Sequence, residues 1–170
     1  RGLGDVYKRQ ALSAEAVRGL RTGQILGLTS AGVASLVSVQ IAALTPSQFS
    51  ALSGIQIAAF TTVQARAINP AQIASIGTAQ VPAITTDDLA MLTPSQVSAF
   101  RSTQIAALTS AQVAAITPGQ ASAMREDQLR ALTSAQIPFL SVGASASIQP
   151  TGISNLSSTQ LQSLTTAAVG

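Results

Sequence analysis

The sequence contains no cysteine and no histidine. Disulfide bridges, zinc sites, haem ligands and the usual Ser-His or Cys-His catalytic pairs are therefore excluded. The sole lysine is Lys8, close to the start, so the many serines and threonines of the remaining chain have no plausible general base. We expect a protein that is not an enzyme and that has no catalytic, cofactor-binding or metal-binding residues.

Aromatic and charged residues are also scarce, at 3% and 9% of 170 residues, whereas 46% of the residues are hydrophobic. This composition allows apolar surface to be buried in thin layers rather than in one large globular core. No apolar run approaches the roughly 18 residues of a membrane span, so we predict no span. The lack of cysteine is compatible with an exported bacterial protein, and we expect an extracellular or cell-surface location.

The first ten residues, "RGLGDVYKRQ", differ in pattern from everything that follows. They resemble a recurrent spurious peptide at the ends of metagenomic gene predictions, which arises when untrimmed adapter sequence is translated. We interpret residues 1–10, which we call the leader, as such an artefact. The remaining chain has six basic and five acidic residues, a net charge of +1, so its charge gives no evidence for a nucleic-acid partner.

From Leu12 onward the chain repeats every eight residues. Twenty octads begin with Leu, Ile, Phe or Met, the last at Leu164, and the consensus is L-T-x-x-Q-I-A-A. Ser, Thr or Asn occupies the second position in 14 octads, and Gln occupies the fifth position in 14. We divide the chain into a regular array over 11–139 and a degenerate region over 140–170. The loss of regularity in the second region indicates either ordinary sequence drift or a terminal cap.

Each octad carries the start signal of a short α-helix. In "LTPSQVSAF", residues 92 to 100, Thr93 and Gln96 form a capping box, and Pro94 suits the first helical position. The next octad begins so soon that each helix has about one and a half turns, roughly 9 Å. Because isolated helices below about 12 residues are marginal in water, the octads must share a core with their neighbours.

The charged side chains indicate which face is buried. None of the eleven beyond the leader occupies octad positions one, six or eight. Since burying an unpaired charge is costly, we predict that these three positions face the core, and that positions two to five and seven face water or cap helices. The eleven are Glu15, Arg18, Arg21, Arg66, Asp87, Asp88, Arg101, Arg125, Glu126, Asp127 and Arg130.

These features predict an all-α solenoid or superhelix of about 20 very short capped helices. One continuous helix is excluded, because its apolar stripe would advance by about 80° per octad. A coiled coil requires heptads. The alternative is a β-solenoid with rows of threonine, although the octads lack the alternation of half-buried strands.

Four prolines lie 24 residues apart at the third octad position. The spacing suggests three helices per superhelical turn, with equivalent corners stacked; alternatively, proline is simply tolerated at any first helical position. Pro82 and Pro138 fall inside their helices, so we expect octads 76–83 and 132–139 to be distorted. The four spaced prolines are Pro46, Pro70, Pro94 and Pro118.

Two acidic pairs are candidates for catalytic carboxylates, Asp87–Asp88 and Glu126–Asp127. All four residues fall in the first turn of their octads, where acidic groups complement the helix dipole, and we favour that structural role.

Two other sets of side chains could bind ligands. A basic patch of Arg66, Arg125 and Arg130 is conceivable, but scattered solubilising charges are favoured because acidic residues sit beside two of them. The glutamine series could recognise sugar or protein, yet the capping box already gives each amide a role, and we favour capping.

The "LTPSQVSAF" unit resembles the first helix of transcription activator-like effector repeats, which implies a helical solenoid that wraps DNA. The second helix and base-reading loop of that family have no counterpart in an octad. Across residues 12 to 139, the chain is similar to LTxxQ(V/I)xAL octad arrays in large bacterial proteins, commonly predicted as surface or adhesin-like.

We therefore expect a non-enzymatic structural segment of a large, exported bacterial protein, acting as a stalk, spacer or passive interaction surface. Its partner class is open between protein and carbohydrate, and no cofactor is expected. The alternative is a nucleic-acid-binding solenoid related to the effector repeats, which the near-neutral charge does not favour.

Overall fold

The computed structural model of the protein describes residues 13–167. The leader predicted at residues 1–10 and the last three residues of the degenerate region lie outside this range. Within it the chain forms seventeen α-helices and two 3₁₀ turns. The α-helices are α1 Ala14–Arg18, α2 Thr22–Leu26, α3 Ser30–Ala34, α4 Ser38–Ala43, α5 Pro46–Ser50, α6 Gly54–Ile57, α7 Thr62–Ala67, α8 Pro70–Ser75, α9 Thr86–Met91, α10 Pro94–Ser98, α11 Ser102–Ala106, α12 Ser110–Ala114, α13 Pro118–Ser122, α14 Glu126–Ala131, α15 Val142–Ser147, α16 Pro150–Ile153 and α17 Ser158–Ala167.

The repeat is all-α, as the capping signals predict. Helices α1 to α16 have only four to six residues each, and α17 has ten. No strand occurs between residues 13 and 167, so the β-solenoid alternative is wrong for this part of the chain. One octad therefore forms one short helix and the bend that follows it.

The second octad position begins each helix in the way the sequence predicts. At Thr93 the backbone is extended, with ψ at 156°, and the side-chain oxygen accepts a hydrogen bond from the Gln96 N–H at 3.2 Å. Pro94 is the first helical residue, where its missing N–H costs no hydrogen bond. Val37, Arg101 and other second-position residues without a side-chain acceptor leave this half of the capping box unformed.

Helices three octads apart pack on one another. One stack contains α5, α8, α10 and α13, which are the four helices that begin with the evenly spaced prolines. The prolines therefore mark equivalent corners of successive turns, as the three-per-turn hypothesis requires. Helix α15 continues this stack, and a Cβ added at Gly143 would lie 3.3 Å from the Pro118 Cγ.

A single apolar core runs along the axis of the array. First-position residues from Leu36 to Leu156 are all buried, and so are sixth-position residues from Val17 to Ile137. The rings of Phe49 and Phe60, from these two positions, stack with centroids 5.7 Å apart and an interplanar angle of 5°. The core is extended rather than globular, because each turn buries its apolar side chains against the turns on either side.

Two predictions about the octad faces need correction. The eighth position is only partly buried in most octads, and Met91 and Phe139 there are 45% and 48% exposed. The fifth position, predicted to face water or to cap helices, is buried in most octads from Gly32 onward. The helix is too short for a third apolar row to reach the interior, because its last turn already bends towards the next cap.

Octads 76–83 and 132–139 are distorted, as their internal prolines predict. Each ends in a 3₁₀ turn, at Val81–Ala83 and Ile137–Phe139, in place of an α-helix. Pro82 and Pro138 have no N–H to donate to the carbonyl four residues earlier, so the tighter turn replaces the α-helical bond.

No helix described between residues 13 and 167 is both long enough and apolar enough to span a membrane.

Candidate functional site

The buried polar side chains of the described residues all lie at the fifth octad position. Twelve of the 14 glutamines there are buried, and Gln72, Gln104 and Gln128 are 0% exposed. Gln80 is half-buried, and Gln24 is exposed. Burying an amide is costly unless its donor and acceptor groups find partners. The fate of each glutamine carbonyl and NH₂ group therefore decides what this row of side chains does.

The glutamine carbonyl acts within its own octad. In Gln96 it accepts a hydrogen bond from the Thr93 backbone N–H at 2.7 Å. The same bond forms from the second-position N–H to the glutamine in all 14 octads that have one, including those that begin with Arg21, Val37 or Gly77. This half of the interaction is the capping box that the sequence predicts.

The glutamine NH₂ group acts between turns, a role that the octad pattern alone does not predict. Gln96 Nε2 donates to the carbonyl oxygens of Ala65 at 2.9 Å and Ile68 at 2.6 Å, 31 and 28 residues earlier. Twelve glutamines donate to the preceding turn in this manner. They are Gln48, Gln56, Gln64, Gln72, Gln80, Gln96, Gln104, Gln112, Gln120, Gln128, Gln136 and Gln160.

The offset of 28 residues amounts to three and a half octads. Each glutamine therefore reaches the bend between two consecutive helices of the turn below. We call this series of twelve side chains the glutamine ladder. The helices that pack together lie three octads apart, so each ladder glutamine contacts the bend that precedes the helix stacked on its own.

The ladder explains how helices this short can end. The last carbonyls of an α-helix lack partners within the helix, and a residue with positive φ often satisfies them. No described residue has a positive φ. Instead, carbonyls at the end of each helix that lies below a ladder glutamine accept hydrogen bonds from its NH₂ group, so one side chain caps two helices.

A signal for this second role was present in the sequence. A capping box accepts Glu as readily as Gln, because only a side-chain acceptor is required. Yet Glu occurs at the fifth position in none of the twenty octads. The consistent choice of the amide over the carboxylate indicates that the NH₂ group is used.

Three octads between residues 84 and 155 lack a fifth-position glutamine and fill the site differently. Ala144 is buried without a polar side chain, and Gly152 leaves room for the Leu129 side chain, whose Cδ1 would lie 2.4 Å from an added Cβ. Asp88 is the third case, and it is the one charged residue among the buried polar side chains of the described chain.

Asp88 is 4% exposed, so the sequence prediction that its octad position faces water is wrong. Its Oδ2 accepts a hydrogen bond from the Thr85 hydroxyl at 2.7 Å. Burial raises the pKa of the Asp88 carboxyl, the hydrogen bond from Thr85 opposes the rise, and the nearby charge of Asp87 adds to it. Asp87 itself is exposed, so the predicted acidic pair splits between solvent and core.

The second acidic pair lies at the surface with arginine partners. Arg125 Nε lies 2.9 Å from Asp127 Oδ1, and Arg130 lies 3.6 Å from Glu126. The guanidinium of Arg125 lowers the pKa of Asp127 by hydrogen bonding. Arg125 also donates to the carbonyls of Ser98 and Phe100 in the preceding turn. Arg125 therefore bridges adjacent turns, whereas Glu126 and Asp127 lie in the first turn of α14 at the surface.

The predicted basic patch is divided among different surroundings. Arg66 is exposed on α7, whereas Arg125 and Arg130 are each paired with an acidic residue of α14. Arg130 also donates to the Asn155 side chain at 2.7 Å. Among residues 13–167, no group of three or more acidic side chains is placed to hold a metal ion.

Comparison with known families places these octads among described repeats. The family model of the ALTTAQ repeat matches residues 57–94 and again residues 81–118. The two matches begin 24 residues apart, which is three octads. A search of curated proteins gave no match to this chain. The protein is a helical repeat protein, and its residues 57–118 match the model of the ALTTAQ repeat family.

Proposed function

We propose that this array is a non-enzymatic structural element, a spacer or passive interaction surface within a large exported bacterial protein. The glutamine ladder carries the proposal. It uses both ends of the amide that could otherwise recognise a sugar or a peptide, and it links each turn only to its neighbours. Such an array lengthens by whole octads without redesign of its core.

The outer surface supports a passive role. Third- and fourth-position side chains are mostly Ser, Thr, Ala, Pro and Gly, and charges beyond the leader nearly cancel at six basic against five acidic. The charged side chains around α14 pair with one another, Arg125 with Asp127 and Arg130 with Glu126. A surface of this composition provides solubility and hydrogen-bonding groups without a strong field to attract nucleic acid.

The structural role is tested by lengthening the array. Duplicating residues 92–115, three octads, should preserve the ladder, and small-angle X-ray scattering should show a longer particle with an unchanged cross-section. Duplicating only residues 92–111 adds two and a half octads and serves as the matched control, since it places glutamines out of register. An octad-preserving insertion that leaves the maximum dimension unchanged would contradict a spacer.

Binding and location require separate measurements. Titration with duplex DNA at low salt should give no binding, whereas affinity that falls steeply with salt would replace this proposal with the nucleic-acid alternative. A panel of glycans and cell-surface proteins tests for a specific partner. Antibody labelling of intact bacteria that make the parent protein should be positive if the array is displayed outside the cell.

A further inference from the structure

The glutamine ladder has a single polar interruption between octads 44–51 and 132–139. Every octad in this interval has Gln at the fifth position except the one that begins at Ile84, where Asp88 takes its place. Asp88 is as buried as the glutamines around it, at 4% exposure compared with 3% for Gln96. The carboxyl group therefore occupies an interior site built for an amide.

The register of the ladder identifies the carbonyls of the preceding turn that correspond to the acceptors of a glutamine at this position. The carbonyls 31 and 28 residues before Asp88 belong to Ile57 and Phe60, which correspond to the acceptors Ala65 and Ile68 of Gln96. An ionised carboxylate has no hydrogen to donate, and its oxygens repel carbonyl oxygens. A neutral carboxyl has one hydrogen and replaces part of the missing NH₂ group.

The surroundings of Asp88 offer little solvation to an ionised form. Asp88 borders a cavity of about 10 Å³ whose other lining residues are apolar, among them Ile57, Phe60 and Ile84. A water molecule needs about 10–15 Å³ and two or more polar partners, so the cavity is at the lower limit of size and too apolar to hydrate a charge well.

The charged groups on neighbouring elements do not compensate. Asp87, on α9 itself, carries the same charge, and Arg66 on α7 is exposed at the end of its helix. The sequence of α12, the other helix packed on α9, contains no charged residue. The direct partner of the carboxyl is the Thr85 hydroxyl, which donates its only hydrogen to Oδ2.

We propose that Asp88 is a proton-controlled joint in the superhelix. In its neutral form the carboxyl donates a hydrogen bond to a carbonyl of the Ile57–Phe60 bend and closes the contact between turns. In its ionised form it leaves that contact open, so α9 and the bend below separate more often. The array then loosens at this one turn, while the glutamine-linked turns on either side remain closed.

The direction of the pH effect follows from the raised pKa. In the unfolded chain the Asp88 carboxyl ionises near 3.8, whereas in the folded chain burial holds its proton to a higher pH. The stabilising contribution is therefore fully present below pH 3.8, and it is lost as the pH rises through the folded pKa. Each unit between the two pKa values changes the ratio of closed to open forms by about tenfold.

The test compares the complete protein with the variant Asp88→Gln, which restores the ladder. Hydrogen exchange, corrected for the intrinsic pH dependence, is followed at residues 57–60 and 86–91 from pH 4 to pH 8. In the wild type, protection of these segments should fall as the pH rises. In Asp88→Gln the fall should disappear, and protection at pH 7 should exceed that of wild type by about tenfold for each unit by which the folded pKa lies above 3.8.

Asp87→Asn is the matched control, since it removes a neighbouring exposed charge and leaves the carboxyl of Asp88 in place. It should retain most of the pH dependence. Carbon-13 NMR of the Asp88 carboxyl supplies an independent reading and should show a titration midpoint above 3.8. A midpoint at or below that value, or an Asp88→Gln variant whose exchange changes with pH as the wild type does, would overturn the proposal.

Discussion

Gln72 Nε2 lies 2.7 Å from the carbonyl oxygen of Leu44, 28 residues earlier in the chain. The same amide accepts the Asn69 backbone N–H at 2.8 Å, so one side chain closes the start of its own helix and the end of another. A helix of six residues would not persist alone in water. Its ends are satisfied only when the adjacent turn is present, which makes stability a property of neighbouring turns.

Replacing one ladder glutamine should therefore cost more than a typical surface substitution. In Gln112→Ala, the Thr109 N–H and the carbonyls of Val81 and Ile84 lose their side-chain partner. At about 1–3 kcal/mol for each of the three groups left unsatisfied, we expect a loss of roughly 3 kcal/mol or more in the free energy of unfolding. Urea denaturation followed by circular dichroism measures it.

Ser110→Ala is the control for this substitution, because Ser110 is exposed two residues away on the same helix. It should change the unfolding free energy by no more than about 0.5 kcal/mol. Equal effects of the two substitutions would show that the buried amide contributes no more than a surface hydroxyl.

Much of this architecture could be predicted from the sequence, because capping is local. Thr93, Pro94 and Gln96 lie within four residues and specify where a helix begins whatever surrounds it. The internal prolines Pro82 and Pro138 likewise predict distorted octads from their own geometry. Such features require only knowledge of the backbone within one turn of helix.

The inter-turn role of glutamine could not be derived in the same way. The partners of Gln96 Nε2 lie 28 and 31 residues earlier, and the number of octads per turn, which sets that offset, depends on how the helices pack. The charge of Asp88 predicts an exposed or capping position, because the sequence alone does not reveal that fifth-position side chains form a buried row. Side chains at the eighth position were misplaced for the same reason.

The donor role of the ladder can be separated from its capping role with Gln112→Glu. Glutamate keeps the acceptor for the Thr109 N–H but has no NH₂ group for the Val81 and Ile84 carbonyls. Burial should raise the pKa of the new carboxyl, so the variant should be strongly destabilised at pH 7 and should recover part of its stability towards pH 4. Full stability at pH 7 would mean that capping alone is required.

The second-position hydroxyl makes a smaller and local contribution. In Thr109→Ala, the Gln112 N–H loses its acceptor at 3.2 Å, and we expect a loss of about 0.5–2 kcal/mol in unfolding free energy. Thr109→Ser keeps the oxygen and should lie within about 0.5 kcal/mol of wild type. If serine and alanine destabilise equally, the cap hydrogen bond is not the source of the effect.

Deletion of whole octads should be tolerated better than deletion of fractions. Removing residues 92–99 leaves every remaining glutamine opposite an equivalent pair of carbonyls, although different octads now stack. Removing residues 92–95 shifts the following glutamines by half an octad and leaves their NH₂ groups without acceptors. We expect a cooperative unfolding transition for the first variant and a loss of helical signal for the second, by circular dichroism.

Gly152 and Gly119 should respond to alanine with opposite signs. A Cβ at Gly152 would lie 2.4 Å from Leu129 Cδ1 and 3.2 Å from Ile148 Cγ2, so Gly152→Ala must displace a packed leucine. We expect a loss of about 1–3 kcal/mol in unfolding free energy. A Cβ at Gly119, inside α13, meets no atom within 4 Å, and Gly119→Ala should gain about 0.5–1 kcal/mol from its higher helix propensity. Thermal unfolding of the two variants measures both effects. A stabilised Gly152→Ala would show that Leu129 repacks freely and that the fifth position of this octad has room for a side chain.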